Sequence, residues 1–250
     1  MSMEWGVIAF IDALGFKGIW KAHDPKDVLA SIESIKSLAA TLKAKIERLD
    51  GGDLWDHVSV RTYMFSDTVG IAINLPPPKI EMEDIEYYQG VRQYMLLRHV
   101  VMMVSEVTGE AAISKVPLLY RGCISTGEFT CNDTSLVGPA VDEAGEYFEE
   151  CDGAFVFLTP SAEKTFTQRP WQLRIGHPAY FVPYSVPMKK GKELRTLTVN
   201  PLLFLEKGKK QVAIESIISC FGGTATRPAS VHSKALNTEA YLKHLLSWQW

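Results

Sequence analysis

The sequence predicts a single α+β domain, residues 1–250, built on a mixed, largely antiparallel sheet with helices packed on one face. Strand-like and helical segments follow the order strand, helix, hairpin, helix, strand, strand, helix, strand. The chain contains neither a low-complexity linker nor an internal repeat, and its 46% apolar content is enough for a substantial core. We expect residues 5–160 to form that core and residues 165–250 a C-terminal helical elaboration.

The composition narrows the classes of function. Lys and Arg number 26 against 29 Asp and Glu, and the net charge of −3 gives no global attraction to nucleic acid or anionic membrane. The four cysteines form no CxxC pair and no zinc-ligand spacing, which indicates reduced thiols. No export signal and no apolar run of 18 residues is present. The sequence therefore predicts a cytoplasmic protein that binds neither nucleic acid nor membrane.

The first strand and the first helix have clear signals. Residues 5–11 are a continuous apolar run, typical of a strand buried on both faces, and Asp12 follows directly. Asp24 and Pro25 are an N-cap and a proline at the first helical position. From Val28 onward, apolar residues recur at three- and four-residue steps, which predicts a long helix lying across the sheet. A coiled-coil seam has the same spacing and is the alternative.

A tight hairpin is predicted from two strand-like runs, residues 58–65 and 68–75, that are separated only by Ser66 and Asp67. Asp67 therefore lies at the hairpin tip. Beyond residue 165, repeated prolines weaken the pattern. The remaining predicted elements are a helix at 84–107, a strand at 118–126, a short strand and a helix at 139–150, strands at 155–158 and 194–199, a helix at 211–221 and a terminal helix from 238.

Asp12 and Asp67 are the first candidates for chemistry, because each ends a strand-like run. In such a sheet the first strand commonly lies beside the hairpin, and the two carboxylates then converge. Two carboxylates without a nearby His or Cys suit Mg²⁺ or Mn²⁺ better than zinc. Magnesium is usually held by one or two carboxylates together with substrate phosphates. From spacing alone, two solvated acids at strand ends remain the alternative.

A glycine-bearing turn follows Asp12. Residues 13–18, ALGFKG, can present consecutive backbone N–H groups to phosphate oxygens, because two glycines let the chain approach an anion closely. The turn is not a Walker A loop, since the GxxxxGK[ST] pattern is absent. Taken alone, it is equally compatible with an ordinary turn. The six histidines show no paired spacing, and neither a GxSxG elbow nor a GxGxxG motif is present.

Four motifs occur in a fixed order along the chain. They are Asp12-x-x-Gly15-Phe16 after the first strand, Phe65-Ser66-Asp67 at the hairpin, Arg121-Gly122-x-Ile124-x-x-Gly127 in a later strand, and Gly138-Pro139-x-Val141-x-x-Ala144 at the start of a helix. Over roughly residues 5–160, their order and spacing resemble the class III nucleotidyl cyclase catalytic domain. The closest resemblance is to the small stand-alone bacterial pyrimidine (uridylate or cytidylate) cyclases of anti-phage signalling. The resemblance implies a ferredoxin-like, palm-type fold.

The resemblance also implies an activity. It implies a homodimer with composite active sites that converts a nucleoside triphosphate to the 3′,5′-cyclic monophosphate and pyrophosphate with two Mg²⁺ or Mn²⁺ ions. By position, the family's metal ligands correspond to Asp12, Ala13 (through its carbonyl) and Asp67. The family's phosphate-holding turn corresponds to Phe16, Lys17 and Gly18. A separate effector protein that binds the cyclic nucleotide is implied as well.

The base-reading positions depart from those of purine cyclases. These enzymes usually carry a Lys four residues before the second metal Asp, where this chain has Tyr63. Their usual Asp partner falls at Ser135. A bulky Tyr with a hydroxyl narrows the pocket and favours a smaller base, which predicts a pyrimidine substrate. Nothing in the sequence separates UTP from CTP, and UTP is the first candidate. A packing role for Tyr63 is the alternative.

A second departure concerns the cation that stabilises the transferring phosphate. Many adenylyl cyclases carry an Asn and an Arg on the helix where this chain has Asp142 and Glu146. Because a carboxylate cannot stabilise developing negative charge, another cation is required. Arg121 is the first candidate, with Lys17 and the lysine cluster at 189–192 next, although Arg121 can equally be a structural ion-pair partner. The alternatives are an adenylyl or guanylyl cyclase with an unusual base pocket and an inactive nucleotide-binding module.

Overall fold

The computed structural model describes residues 3–48, 58–75, 85–169, 179–222 and 229–248. The strands are β1 (Glu4–Leu14), β2 (Ser59–Phe65), β3 (Thr68–Asn74), β4 (Leu119–Cys131), β5 (Leu136–Val137), β6 (Val156–Leu158), β7 (Phe181–Met188) and β8 (Lys192–Val199). The α-helices are α1 (Pro25–Arg48), α2 (Ile85–Ala112), α3 (Pro139–Tyr147), α4 (Pro160–Thr167), α5 (Lys207–Ser219) and α6 (Ala229–Ser247). Two short 3₁₀ turns lie at Ile19–Lys21 and Lys189–Gly191.

The strands form one sheet in the order β2-β3-β1-β4-β6-β8-β7, and β5 pairs with the end of β4. Among the described strands, every pairing is antiparallel except that of β4 with β6. The mixed, largely antiparallel sheet is therefore confirmed. β1 lies between β3 and β4, which explains why its sequence is a continuous apolar run.

Helices cover both faces of the sheet, so the expectation that they pack on one face is wrong. Val7 and Ile11 of β1 join a buried cluster with α1, α2 and α4. Ile8 of the same strand joins a second cluster with α3, α5 and α6. Because successive side chains of a strand point to opposite faces, a strand that is apolar at both parities needs cover on both sides.

Helix α1 begins where its capping signal predicts. The backbone N–H of Lys26 donates to Asp24 Oδ1 at 2.8 Å, and the helix starts at Pro25. The apolar positions of its stripe that the structure describes are all buried: Val28, Ile32, Ile35, Ala39 and Leu42. The helix contacts α2 and β2, so the stripe faces the domain core.

One strand, β7, is absent from the sequence prediction, because prolines normally interrupt a strand. β7 is the last strand of the sheet, and Pro183 and Pro187 both lie in it. Their carbonyl oxygens point away from β8: that of Pro183 lies 2.9 Å from His244 Nε2, and that of Pro187 accepts from the N–H of Asp152 at 2.9 Å. Proline has no N–H to donate, so it is tolerated where the backbone nitrogen points away from the neighbouring strand.

Other element bounds differ modestly from the predictions. α2 extends to Ala112 and β4 to Cys131, while α3 ends at Tyr147. α5 and α6 begin earlier than predicted, at Lys207 and Ala229. The four cysteines are free thiols, as their spacing indicates. In the part of the chain that the structure describes, no helix has both the length and the apolarity needed to cross a membrane.

Candidate active site

The sheet order brings Asp12 and Asp67 together. β1 and β3 are neighbours, and Asp12 pairs with Thr68, the residue that follows Asp67. The N–H of Ala13 donates to the backbone oxygen of Asp67 at 3.2 Å. This bond ties the end of β1 to the hairpin tip, so two carboxylates that are 55 positions apart in the chain lie at one end of the sheet.

The carboxylate of Asp12 lies in partly buried, competing surroundings. Burial, followed by the negative charge of Asp67, raises the pKa of Asp12. Two donors act in the opposite direction: Thr68 Oγ1 donates to Oδ1 at 3.1 Å, and Arg121 Nη2 donates to Oδ2 at 3.5 Å. The effects that raise the pKa are larger than those that lower it. The ionised form of Asp12 is therefore less favourable here than in water, and a bound cation would stabilise it.

Tyr120 is a site residue that sequence reasoning missed. It pairs with Ala13 across β1 and β4 and is buried. Burial, followed by the charges of Asp67 and then Asp12, holds the pKa of the Tyr120 hydroxyl well above its ordinary value. The negative charge of Asp67 therefore contributes to the raised pKa of both Tyr120 and Asp12. The only signal in the sequence was its position beside Arg121.

Arg121 lies directly opposite Asp12 in the register of β4 and β1. Its guanidinium forms an ion pair with Asp12 at 3.5 Å, and Nη1 donates to the backbone oxygen of Glu149 at 3.3 Å. Its Nε is buried and has no hydrogen-bond partner among the described residues. The ion-pair role that the sequence left open is thus present, and it places a cation inside the candidate site.

Two glycines shape the turn that follows Asp12. Gly15 and Gly18 adopt left-handed backbone conformations with φ of 75° and 86°, which favour glycine. The N–H of Ile19 donates to the oxygen of Phe16 at 3.0 Å and closes the turn. The backbone N–H groups of residues 15–18 donate to no group in the described part of the chain. Successive free N–H groups in such a turn bind anions.

The side chains of this turn divide between the core and the solvent. Phe16 and Ile19 pack against the core cluster under α1 and α2, which anchors the turn. Lys17 is exposed. The turn therefore holds its N–H groups beside Asp12 with a lysine at its rim.

The donor set fits a hard divalent cation. Asp12 and Asp67 supply carboxylate oxygens, and burial, followed by the negative charge of Asp67, raises the pKa of Asp12, so a bound cation would favour its ionised form. No cluster of three or more His, Cys, Asp or Glu ligands occurs among the described residues. Magnesium commonly takes only one or two carboxylates and completes its shell with phosphates and water, so a two-carboxylate site suits an ion that binds with a nucleotide.

The structure also brings Tyr63 and Ser135 together, although Tyr63 is not open to solvent. The Tyr63 side chain is only 4% exposed, and its hydroxyl donates to the backbone oxygen of Asn132 at 2.5 Å. The N–H of Ser135 donates to Asn132 Oδ1 at 2.8 Å. Burial raises the pKa of Tyr63 well above its ordinary value, and Cys131 adds to that effect. The packing role that the sequence left open for Tyr63 is therefore present.

Sequence reasoning also missed the contacts that Arg61 makes with Cys131 and Asp133. Arg61 Nη1 donates to Cys131 Sγ at 3.3 Å, and Arg61 Nε lies 3.8 Å from Asp133 Oδ1. These contacts fasten the end of β4 to β2. The shared strand parity of Arg61 and Tyr63 was the signal that could have found them.

On α3 the acidic residues divide into two groups. Asp142 and Glu146 are exposed, whereas Glu143 is half-buried. The Glu143 carboxylate accepts from Thr159 Oγ1 at 3.0 Å, from the N–H of Ser161 at 3.1 Å and from the Ser161 hydroxyl. Glu143 thus holds α3 against the start of α4, which directs Asp142 and Glu146 outward.

The lysine cluster lies in the tight turn between β7 and β8. The N–H of Lys189 donates to the backbone oxygen of Glu150 at 2.7 Å. The carbonyl of the preceding Glu149 is the one that accepts from Arg121 at 3.3 Å. Lys189, through its backbone, and Arg121, through its guanidinium, therefore both bond to the segment that follows α3.

Neither a protein-family model nor a curated protein matches the chain. Solved structures do match. The catalytic core of a rhodopsin-guanylyl cyclase with converted specificity, in complex with ATPαS, is 12% identical and aligns over 80% of this chain and 96% of that chain with a TM-score of 0.50. The non-canonical dimeric guanylyl cyclase domain of the RhoGC fusion protein from the aquatic fungus Blastocladiella emersonii is 12% identical and aligns over 80% of this chain and 97% of that chain with a TM-score of 0.51. At this identity the likeness concerns the fold alone, and it confirms the predicted class III cyclase fold.

Proposed function

We propose that the protein is a metal-dependent nucleotidyl cyclase that converts a pyrimidine nucleoside triphosphate, UTP in preference to CTP, to the 3′,5′-cyclic monophosphate and pyrophosphate. The observation that carries this proposal is the convergence of Asp12, Asp67 and the free N–H groups of residues 15–18 at one end of a cyclase-type sheet. Carboxylates suit a divalent cation, and free N–H groups suit a triphosphate. Together they form one site for a metal nucleotide.

Two Mg²⁺ or Mn²⁺ ions would be held by Asp12, Asp67 and the Ala13 carbonyl, and would neutralise phosphate charge and favour ionisation of the ribose 3′ hydroxyl. The turn of residues 15–18 binds the outer phosphates and orients the α-phosphate. The 3′ oxygen attacks the α-phosphorus, the bond to the bridging oxygen breaks, and pyrophosphate leaves while the hydroxyl proton passes to solvent. Positioning and charge stabilisation account for most of the rate in reactions of this class.

Arg121 supplies the charge that the exposed Asp142 and Glu146 cannot. Its guanidinium lies beside Asp12, and its buried Nε has no partner among the described residues, so it has unused capacity to donate. Lys17 is exposed on the turn, and the backbone of Lys189 bonds to Glu150, next to the residue that accepts from Arg121. We assign Arg121 to stabilise the transferring phosphate and the lysines to the outer phosphates.

We further propose that the enzyme works as a homodimer in the cytoplasm and that its product is a second messenger of antiviral defence read by a separate effector. The similar RhoGC domain is described as a non-canonical dimer, which supports self-association of this fold. The defence role rests on the resemblance of the motifs to pyrimidine cyclases of anti-phage signalling.

Two other functions have specific support. Both similar structures are guanylyl cyclase domains, and one was determined with ATPαS, so a purine substrate is the first alternative. The exposed acids Asp142 and Glu146 support the second, a module that binds nucleotide without turning it over.

Incubation of the purified protein with each of the four ribonucleoside triphosphates and Mn²⁺, with products separated by chromatography and identified by mass, tests the proposal. We expect a 3′,5′-cyclic pyrimidine monophosphate and an equal amount of pyrophosphate. Cyclic AMP or cyclic GMP as the main product identifies the purine alternative. Nucleotide binding without pyrophosphate release identifies the inactive module. Absence of both binding and product contradicts a nucleotide site.

A further inference from the structure

The residues that join α3 to β6 pass around Arg121. Arg121 Nη1 donates to the backbone oxygen of Glu149 at 3.3 Å, and the N–H of Gly122, the next residue of β4, donates to the oxygen of Phe155 at 3.2 Å. Both ends of this stretch, here called the 149–155 segment, are therefore bonded to β4 at the candidate site. The position of the segment decides where the Glu149 carbonyl lies, and this carbonyl holds one side of the Arg121 guanidinium.

The Arg121 guanidinium is shared between the Glu149 carbonyl and Asp12. Nη2 lies 3.5 Å from Asp12 Oδ2, whereas a charge-assisted hydrogen bond is usually about 2.7–2.9 Å long. An arginine that bound Asp12 at full strength would compete with a metal ion for the same carboxylate. Held by a carbonyl on its other side, Arg121 stays beside Asp12 without saturating it.

The 149–155 segment does not hold its own shape, because it consists of turns, bends and a single isolated bridge. On one side it is fastened by β7 and the turn that follows it. The N–H of Asp152 donates to the oxygen of Pro187 at 2.9 Å. The N–H of Lys189 donates to the oxygen of Glu150 at 2.7 Å. Elements that come later in the chain therefore set the position of the segment.

Two neighbouring residues of α6 fasten the middle of the segment. Asn237 Nδ2 donates to the backbone oxygen of Asp152 at 2.7 Å and to its carboxylate Oδ2 at 3.2 Å. An amide group has two hydrogens, so Asn237 can serve both acceptors. Thr238 is buried, and its Oγ1 accepts from the N–H of Ala154 at 2.9 Å and donates to the oxygen of Lys234 at 2.7 Å. α6 thus binds the segment at two successive positions.

The contact between α6 and the 149–155 segment is also closely packed. The ring of Tyr241, one turn after Asn237, lies 5.5 Å from the ring of Phe155 in an edge-to-face arrangement. A Cβ at Gly153 would meet the Phe155 ring and would lie 3.2 Å from Thr238 Oγ1, so a residue without a side chain is needed there. A segment packed this closely cannot shift independently of α6.

We infer that Asn237 is a positioning residue for the proposed reaction, which holds the Arg121 guanidinium beside Asp12 through the 149–155 segment. The inference rests on the proposed function, in which Arg121 stabilises the transferring phosphate. It gives α6, the last part of the C-terminal elaboration, a role in catalysis. The effect is measurable, because a displacement of about 1 Å in a catalytic group can cost about 100-fold in rate.

The test measures kcat and KM for pyrophosphate release, with Mn²⁺ and the nucleoside triphosphate that wild type converts. The variants are Asn237→Ala, Arg121→Met and the double variant, and alanine keeps α6 helical. Thr238→Val, which removes the other polar contact from α6, is a second way to loosen the segment. The matched control is Asn200→Ala, because Asn200 is buried and its Nδ2 donates to the oxygen of Ala179 at 3.1 Å. Rates are measured below the melting temperature of every variant.

We expect Asn237→Ala to lower kcat roughly tenfold and to change KM by less than about twofold, because the turn that binds the outer phosphates is intact. Arg121→Met lowers kcat by roughly 100-fold. The double variant matches Arg121→Met, since Asn237 acts through Arg121 and the two losses therefore do not add. Thr238→Val lowers kcat in the same pattern. Asn200→Ala lowers the melting temperature and keeps the wild-type kcat.

Three outcomes overturn the inference alone: Asn237→Ala turns over as fast as the Asn200→Ala control, the losses multiply in the double variant, or Arg121→Met keeps the wild-type kcat. Where Asn237→Ala does not fold, Thr238→Val and its combination with Arg121→Met decide by the same criteria. Failure of the proposed function has a different signature, because wild type then releases pyrophosphate from none of the four ribonucleoside triphosphates. The inference falls with it in that case.

Discussion

The surroundings of Asp12 disfavour its ionised form. Burial and the neighbouring Asp67 raise its pKa, in spite of the hydrogen bonds from Thr68 and Arg121. A carboxyl group whose pKa is raised in the folded state stabilises the fold only at low pH. As the pH rises from the ordinary carboxyl pKa through the raised value, the metal-free protein therefore loses free energy of unfolding. A bound divalent cation removes that loss.

Asp12→Asn is accordingly expected to raise the melting temperature of the metal-free protein at pH 7, and the gain shrinks as the pH falls towards the ordinary carboxyl range. Adding Mn²⁺ at 100 times its Kd stabilises wild type by roughly 5–10 °C and leaves the variant unchanged. Thermal melts with a chelator and with Mn²⁺ measure both effects.

Asp27→Asn is the control for that experiment, since Asp27 is an α1 carboxylate paired with Lys115 at 2.6 Å. This variant keeps the Mn²⁺ response of wild type. An equal response to Mn²⁺ in Asp12→Asn and wild type contradicts the assignment of Asp12 as a ligand.

At the scale of elements, the turn of residues 15–18 depends on backbone shape more than on side chains. A Cβ at Gly15 meets no atom within 4 Å, and one at Gly18 meets only the flexible end of Lys21, so conformation is what restricts both positions. An L residue at φ of 86° costs roughly 1–2 kcal/mol. Substitution there therefore changes the direction of the N–H groups or the stability of the turn.

Gly18→Ala is expected to raise KM for the nucleoside triphosphate roughly tenfold, because the N–H groups of the turn lose their convergence. The melting temperature falls by about 2–4 °C for each kcal/mol of strain. Steady-state kinetics and thermal melts measure the two effects. Gly208→Ala on α5, where a Cβ also meets open space and φ is ordinary, keeps the wild-type KM. An unchanged KM in Gly18→Ala removes the phosphate role of the turn.

The elements that the sequence predicted best are those whose signal is local. The hairpin of β2 and β3 and the start of α1 follow from turn and capping residues, and the structure confirms both. β7 was missed because the tolerance of Pro183 and Pro187 depends on β7 being the outermost strand, which is a property of the whole sheet.

The candidate site shows the same limit. Asp12 and Asp67 were found because each follows an apolar strand-like run, which is a short local pattern, although β1 continues past Asp12 to Leu14. The pairing of Arg121 with Asp12 depends on the register of β4 against β1, and the bond from Tyr63 to Asn132 depends on how a loop folds over a distant strand. Neither register nor loop closure can be read from spacing along the chain.

At the scale of the whole molecule, two large apolar side chains stand exposed beside the site. Trp20 is 61% exposed just after the turn, and Phe65 is 62% exposed just before Ser66 and Asp67. Exposed apolar residues around a site are commonly a contact for another protein. We therefore expect them to lie in the interface of the proposed homodimer.

Phe65→Asp is expected to shift the protein from dimer to monomer, because a charge in an apolar interface has no partner. Turnover per chain then falls together with the dimer fraction, since composite sites need two copies. Sedimentation velocity and initial rates over a range of protein concentrations measure both. Leu246→Asp, at an equally exposed position (63%) on α6, is the control that stays dimeric and active. A fully active monomer contradicts the composite site.

Asp12 and Asp67 lie at one end of the sheet, where we propose that they hold the metal nucleotide for cyclisation. The decisive experiment compares the initial rates of pyrophosphate release from UTP with Mn²⁺ by wild type, Asp67→Asn and the control Asp27→Asn, with fold checked by circular dichroism. We expect Asp67→Asn to keep its fold and to lose at least about 100-fold in rate, because a metal ligand is gone, while Asp27→Asn retains the wild-type rate. Release of pyrophosphate by Asp67→Asn as fast as by wild type excludes Asp67 as a ligand of the metal nucleotide.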